Sequence, residues 1–275
     1  MCLHRLFYNQ RAAGLLLLLS ISLVAATRCI ADDLSTHSAP LQRDTPASLV
    51  DQGRLRDQAI HILGGNANVI SRWIDEVRYV LVGHPRHIPV VNKTLVEIST
   101  LTQVPVRSVD LHSADLISNE IVFRQAGVNL LCEKNTGCAN FVVVVADIAQ
   151  MKEIASAAQL RRVYRRALDE ENVLCFFAPF QSASIIRQAL VFVRSDQSEA
   201  MLNTCLREEI YQSFGLFNDY TDSEFFSFNN SVEPKSITQY DRHLLRAVYK
   251  FKAGTPAFSV VQRFMRDLGP DQDLE

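Results

Sequence analysis

Residues 205–219 read Cys205-Leu206-Arg207-Glu208-Glu209-Ile210-Tyr211-Gln212-Ser213-Phe214-Gly215-Leu216-Phe217-Asn218-Asp219. The stretch closes a strong helical pattern over residues 197–214. On such a helix Glu208 and Gln212, four apart, share one face, and Glu209 lies about 100° around the axis. Gly215 then ends the helix, because glycine tolerates the left-handed backbone that commonly follows a last turn, and Asn218 and Asp219 fall in the turn beyond. Two adjacent acids, an amide and a polar turn within about three helical turns' length of chain make this the most chemically loaded stretch of the chain.

The elements around it come from periodicity. Toward the amino terminus, Asn140–Ala146 is β-branched almost throughout and predicts a central strand. Val77–Val82, Val173–Phe177 and Ile185–Val193 predict further strands, with shorter ones at 106–112, 119–124 and 128–132. Residues 89–102 predict a helix, with Val91, Leu95, Ile98 and Leu101 at helical spacing. Other helices are predicted at 54–63, stopped by Gly64-Gly65, and at 147–168 in two pieces. Beyond the loaded stretch, residues 217–236 are irregular and rich in Phe, Asn and Ser, with Phe225, Phe226 and Phe228 expected to pack beneath the loop. A last helix is predicted at 238–250, opened by a capping box from Thr238 to Asp241. This order predicts an α+β fold: a mixed sheet with helices, a long helix at 197–214 and a small carboxyl-terminal lobe. The expected division is a single domain over 51–265, with a sheet-and-helix lobe at 51–215, a smaller lobe at 216–265 and a tail at 266–275.

The amino terminus carries a different signal. Arg5 and Arg11 precede the apolar run 12–26 and small residues follow it, which predicts a secretory signal peptide over 1–31 and a flexible leader over 32–50. The run is shorter than the roughly 20 apolar residues a membrane-spanning helix needs, and no later segment is long and apolar enough, so no span is expected in the mature chain. Cys29 could accept a lipid, but Arg28 stands before it where a small residue is expected, so simple cleavage is favoured. Cleavage would remove Arg5, Arg11 and Arg28 and no acid, carrying the formal charge from −2 to −5. A mildly acidic domain lacks the basic footprint of a nucleic-acid binder. The expected location is periplasmic or secreted. Cys132, Cys138, Cys175 and Cys205 would remain, an even number suited to an oxidising compartment, and their spacing favours disulfides Cys132–Cys138 and Cys175–Cys205 over a four-cysteine zinc site.

The helix at 205–219 resembles the metzincin zinc-protease signature, His-Glu-x-x-His-x-x-Gly-x-x-His/Asp, in which histidines bind zinc and the glutamate is the general base. Position by position, Glu208 stands at the first histidine, Glu209 at the glutamate, Gln212 at the second histidine, Gly215 at the glycine and Asn218 at the third ligand. The longer pattern also takes in Phe226–Asn230 and Ile237-Thr238-Gln239-Tyr240-Asp241. It resembles a bacterial family of exported proteins and lipoproteins, domain of unknown function 2927, closely over 170–255 and more loosely over 66–170. The resemblance implies a zincin-like fold with no assigned activity.

One carboxylate and two amides in place of three imidazoles are poor zinc ligands, so no zinc or other cofactor is expected. The ligand positions Glu208, Gln212 and Asn218 are expected to form a hydrogen-bond network filling the former metal cavity. Asn218 and Asp219 leave open a hard cation such as calcium. The favoured function is an exported, non-catalytic metzincin-like module, a pseudoenzyme that binds a protein or cell-envelope component. The alternatives are a hydrolase using Glu209 as general base with Glu208 as a second carboxylate, and a purely structural envelope protein. His84-Pro85-Arg86-His87 reads as a solvated turn, and Arg161, Arg162, Arg165 and Arg166 as a solvated basic face in which Arg165 pairs with Asp169 four residues on.

Overall fold

The computed structural model describes residues 47–64, 68–109, 131–133, 137–170, 172–220, 223–228 and 236–268, with the side chains of 47–50 and 131–138 outside that description. The expected signal peptide, the strand expected at 119–124 and the tail beyond Leu268 lie outside the described residues.

The sheet is built around β6 (Phe141–Ala146), buried at every residue. It is flanked in parallel by β2 (Val77–Val82) and β8 (Ile185–Arg194), with β3 (Val106–Ser108) parallel beyond β2. β7 (Cys175–Ser182) runs antiparallel along the other edge of β8. The two-residue β1 (Arg72–Trp73) pairs with Ile185 and Ile186, in line with β6, because β7 already occupies the opposite edge of β8 there. A separate antiparallel pair, β4 (Leu131–Glu133) and β5 (Gly137–Ala139), sets Cys132 opposite Cys138, the register their expected pairing requires. Their side chains lie outside the described residues.

The unbroken run of Val142, Val143, Val144 and Val145 is explained by layers on both faces of the sheet. Phe141, Val143 and Val145 join one core, with Ala189, Val191 and Val193 of β8. Val142, Val144 and Ala146 join the second, with Leu190 and Phe192. The first core is closed by α1 (Ala47–Ile62), α2 (Ile88–Thr102), α5 (Glu199–Gln212), α6 (Gln239–Tyr249) and α7 (Ala257–Leu268). The second is closed by α3 (Ile148–Ala157) and α4 (Arg162–Ala167). The structure is thus a mixed α/β arrangement with a largely parallel sheet, in keeping with the expected α+β class. No helix among the described residues is long and apolar enough to cross a membrane.

Helix starts follow local chemistry. The Asp147 carboxylate accepts from Gln150 N at 2.9 Å and starts α3. Ser198 Oγ accepts from Met201 N at 3.3 Å and starts α5. Thr238 and Asp241 form the expected capping box of α6.

Four local expectations differ from the structure. α1 begins at Ala47, inside the stretch read as leader, just after Pro46, a residue suited to helix starts. The helix at 239–249 is not the last: α7 follows and continues to Leu268, into the stretch read as tail. Its Ala257, Val260, Val261, Phe264 and Leu268 recur on one face and are all buried, a signal already present in the sequence. The His84–His87 turn is only half solvated: His84 is exposed, whereas His87 is 4% exposed and burial lowers its pKa. Asp169 pairs with Lys152 on α3 at 2.7 Å and not with Arg165, because the i,i+4 spacing helps only within one helix and α4 ends at Ala167.

A disulfide joins Cys175, at the start of β7, to Cys205 in the middle of α5, with 5.9 Å between Cα atoms. It closes a loop of sequence separation 30, tying the edge strand to the helix laid across the sheet. Replacing both cysteines by serine is expected to lower unfolding stability by about 3–4 kcal/mol from the lost chain constraint. Urea unfolding of the double variant beside the parent measures this, and unchanged midpoints would show that the tether contributes nothing.

Candidate functional site

α5 lies on α2, β7 and β8, and its carboxyl-terminal half is buried from Glu209 through Leu216. Burying the end of a helix is costly unless its last carbonyls find donors. Trp73 Nε1 donates to Ser213 O at 3.1 Å, and Tyr249 Oη donates to Phe214 O at 3.1 Å. Trp73 N donates in turn to Tyr249 Oη at 3.3 Å. Arg72, whose guanidinium carbon lies 4.8 Å from the Tyr249 ring centroid, donates to Tyr249 O at 2.8 Å and Phe251 O at 2.7 Å.

Gly215 makes this closure possible. Its φ is +118°, and a Cβ there would lie 2.5 Å from Ser71 O, a backbone atom with nowhere to move. The glycine of the signature pattern is therefore required by close packing as well as by the turn. A Gly215→Ala chain is expected to lose about 2 kcal/mol or more of stability from the left-handed backbone and the clash together, read as a fall in thermal midpoint.

The structure brings Glu208, Glu209, Gln212 and Asp219 together and leaves Asn218 out. Gln212 is fully buried and its Nε2 donates to Asp219 Oδ1. Asn218 faces the other way: its Nδ2 donates to His61 O at 2.8 Å and its N to Ile62 O at 3.2 Å. It thereby satisfies carbonyls at the end of α1. Of the expected network of Glu208, Gln212 and Asn218, Gln212 bonds to Asp219 instead, Asn218 is turned to α1, and Glu208 Oε1 meets no protein donor. The reason is the turn after Gly215, which points consecutive side chains in different directions and leaves the shorter acid facing the helix.

Glu209 is wholly buried, whereas Glu208 is partly exposed at the helix surface with its Oε1 enclosed and without a protein hydrogen-bond partner. Burial, then the charges of Asp219 and Glu209, raise Glu208 well above the usual carboxylate range. A carboxyl raised in this way beside further acids is suited to proton transfer. Among the described residues, no group of three or more His, Cys, Asp or Glu is arranged to hold a metal ion. The donor set does not fit zinc either, since the Gln212 amide is engaged with Asp219 and Asn218 is turned to α1.

Asp241, the first-turn acid of α6, is a residue whose reach the sequence reading missed. It is fully buried and accepts from Ser227 N and Oγ and from Thr238 N and Oγ1, fastening the Phe226-Ser227-Phe228 loop to the helix. Burial raises its pKa to about 6 despite these donors. The capping box was legible, but the second anchor at Ser227 was not, because it lies 14 residues away across a loop. As expected, Phe225, Phe226 and Phe228 are buried beneath that loop. Glu97 of α2 pairs with Arg242 and lies beside the Tyr211 hydroxyl, linking α2, α5 and α6.

The family described as Protein of unknown function (DUF2927) matches residues 56–257, and the chain belongs to that family. No curated protein and no solved structure matches the chain.

Two expectations follow from the buried acids. Asp241→Asn removes acceptors from several buried donors and is expected to cost about 1–3 kcal/mol, visible in chemical unfolding. Glu208 has a folded pKa raised above its unfolded value, so its favourable contribution is present at low pH and is lost as pH rises through the folded value. His87 and His243, both lowered by burial, work in the opposite sense as pH falls, so the clean measurement is a difference between chains. Glu208→Gln is expected to gain stability relative to the parent between pH 5 and pH 8, as followed by thermal unfolding across that range. A constant or shrinking difference would mean that Glu208 is ionised in the fold.

Proposed function

We propose that the chain is an exported, non-catalytic metzincin-like module that binds a protein or cell-envelope component through the place a metzincin's substrate cleft would occupy, beside Glu208. The carrying observation is the use made of the former ligand positions. Gln212 is spent on Asp219 and Asn218 on the end of α1, so the side chains that would hold a metal serve the fold. The long helix crossing a mixed sheet, with Gly215 closing it at the signature spacing, supports the metzincin-like part of the reading. The Cys175–Cys205 disulfide supports export, since such bonds persist in oxidising compartments.

The test combines elemental analysis with a peptidase assay on protein purified without chelator. The expected result is no stoichiometric zinc and no zinc-dependent peptide hydrolysis. One zinc per chain with chelator-sensitive cleavage would overturn the proposal.

A second reading rests on the raised pKa of Glu208. A carboxyl raised well above the usual range beside a buried Glu209 is the kind of perturbed pair found in acid–base catalysis. In that hydrolase Glu209 is the general base and Glu208 the second carboxylate. Loss of function in a cell-based assay by Glu209→Gln, with the chain still folded, would favour this reading, and normal function would remove it.

A further inference from the structure

On the face of the sheet away from α5, the loop between α3 and α4 and the β7–β8 hairpin border a cavity of about 600 Å³. That volume falls within the range of small-molecule sites. Leu160, Tyr164, Pro179 and Phe180 supply its apolar wall, and Gln188, only 8% exposed, adds a neutral amide. Arg161 and Arg187 supply charge. Arg187 is paired with Asp75, while no carboxylate among the described residues lies within ion-pair distance of Arg161. Arg162, Arg165 and Arg166 follow on α4, all exposed, and make the surroundings more positive.

The backbone is unusual at three places around this cavity. Gln159, in its wall, has φ +51°. The hairpin turn beyond Ser182 places both Ala183 and Ser184 in the left-handed region, at φ +48° and +63°, without a glycine. β8 carries a bulge at Arg187, the extra residue between its partners of Phe180 and Gln181, and all three line the cavity. Left-handed residues with a Cβ are uncommon, and such outliers and bulges gather where a site has to be shaped.

We propose that this cavity binds a small organic anion, its carboxylate or phosphate held by Arg161 with Arg187 and its apolar body lying on Tyr164, Pro179 and Phe180. Guanidinium groups match planar anions by paired hydrogen bonds. The Gln188 amide sits beside the strand to orient a polar substituent. A cation is disfavoured by two guanidiniums against the single carboxylate of Asp75. The site lies across the sheet from Glu208 and stands or falls independently of the function proposed for α5.

Calorimetric titration of the whole chain at about 0.15 M salt, where exposed charges are screened beyond about 8 Å, tests this. The probes are phenyl phosphate and 3-phenylpropionate, with inorganic phosphate and benzyl alcohol as the two halves. At least one aromatic anion is expected to bind about tenfold or more tightly than either half, and the two anions together separate phosphate from carboxylate preference. Arg161→Gln is expected to weaken binding about tenfold, one charge-assisted hydrogen bond's worth, and Ser182→Trp, which blocks the rim from an exposed position, to abolish it. Arg165→Gln, on α4 but outside the cavity, is expected to leave binding unchanged. The proposal is overturned if neither anion binds, if inorganic phosphate binds as tightly as phenyl phosphate, if Ser182→Trp binds like the parent, or if Arg165→Gln weakens binding as much as Arg161→Gln.

Discussion

A helix can end inside a protein only if its last carbonyls meet donors and its backbone has room to turn, and the rest of this fold is arranged around meeting that condition for α5. Trp73 and Tyr249, from opposite ends of the domain, reach Ser213 O and Phe214 O. Gly215 presses against Ser71 O at a distance no side chain would permit. The short strand β1, which includes Trp73 and follows Ser71, is held in the sheet at that place, in line with β6. α6 and α7 then pack over the same core, with Phe226 set between Tyr240 and Phe264. The carboxyl-terminal helices are thereby fastened to the sheet lobe through the end of one helix.

The same closure concentrates acidic groups where water is scarce. Asp219, Glu209 and Asp241 lie near enough for their charges to act on Glu208. Asp241 is compensated by four donors from Ser227 and Thr238 and stays within reach of ionisation near neutral pH. Glu208 lacks such donors at Oε1, and burial and the neighbouring acids raise it further. In both acids burial is the largest influence, and the donors around Asp241 work against it.

Much of the architecture was readable along the chain. The β-branched run at 141–146, the amphipathic helix at 88–102 and the helix at 199–212 stand where their periodicity places them, because their side-chain patterns repeat at the period of the element. The pairing of Cys175 with Cys205 followed from an even cysteine count and spacing. α7 was missed although its apolar stripe is regular, since the irregular stretch before it made the domain look finished. The reversal of β7 and its place on the outer edge of β8 were not readable, because strand direction depends on partners distant in sequence.

The sequence by itself determined the helix at the heart of the protein, the face shared by Glu208 and Gln212, the glycine that ends it and the family to which those positions belong, for all of these depend on spacing within a few turns. Only the tertiary structure decided what the polar groups do. It turned Asn218 to the end of α1 and Asp219 to Gln212, raised Glu208 by burying it and then by bringing other acids beside it, and set Arg161 and Arg187 around one cavity. Spacing fixes which face a side chain occupies, but its partners, its charge and its access to water depend on elements that meet only when the chain folds.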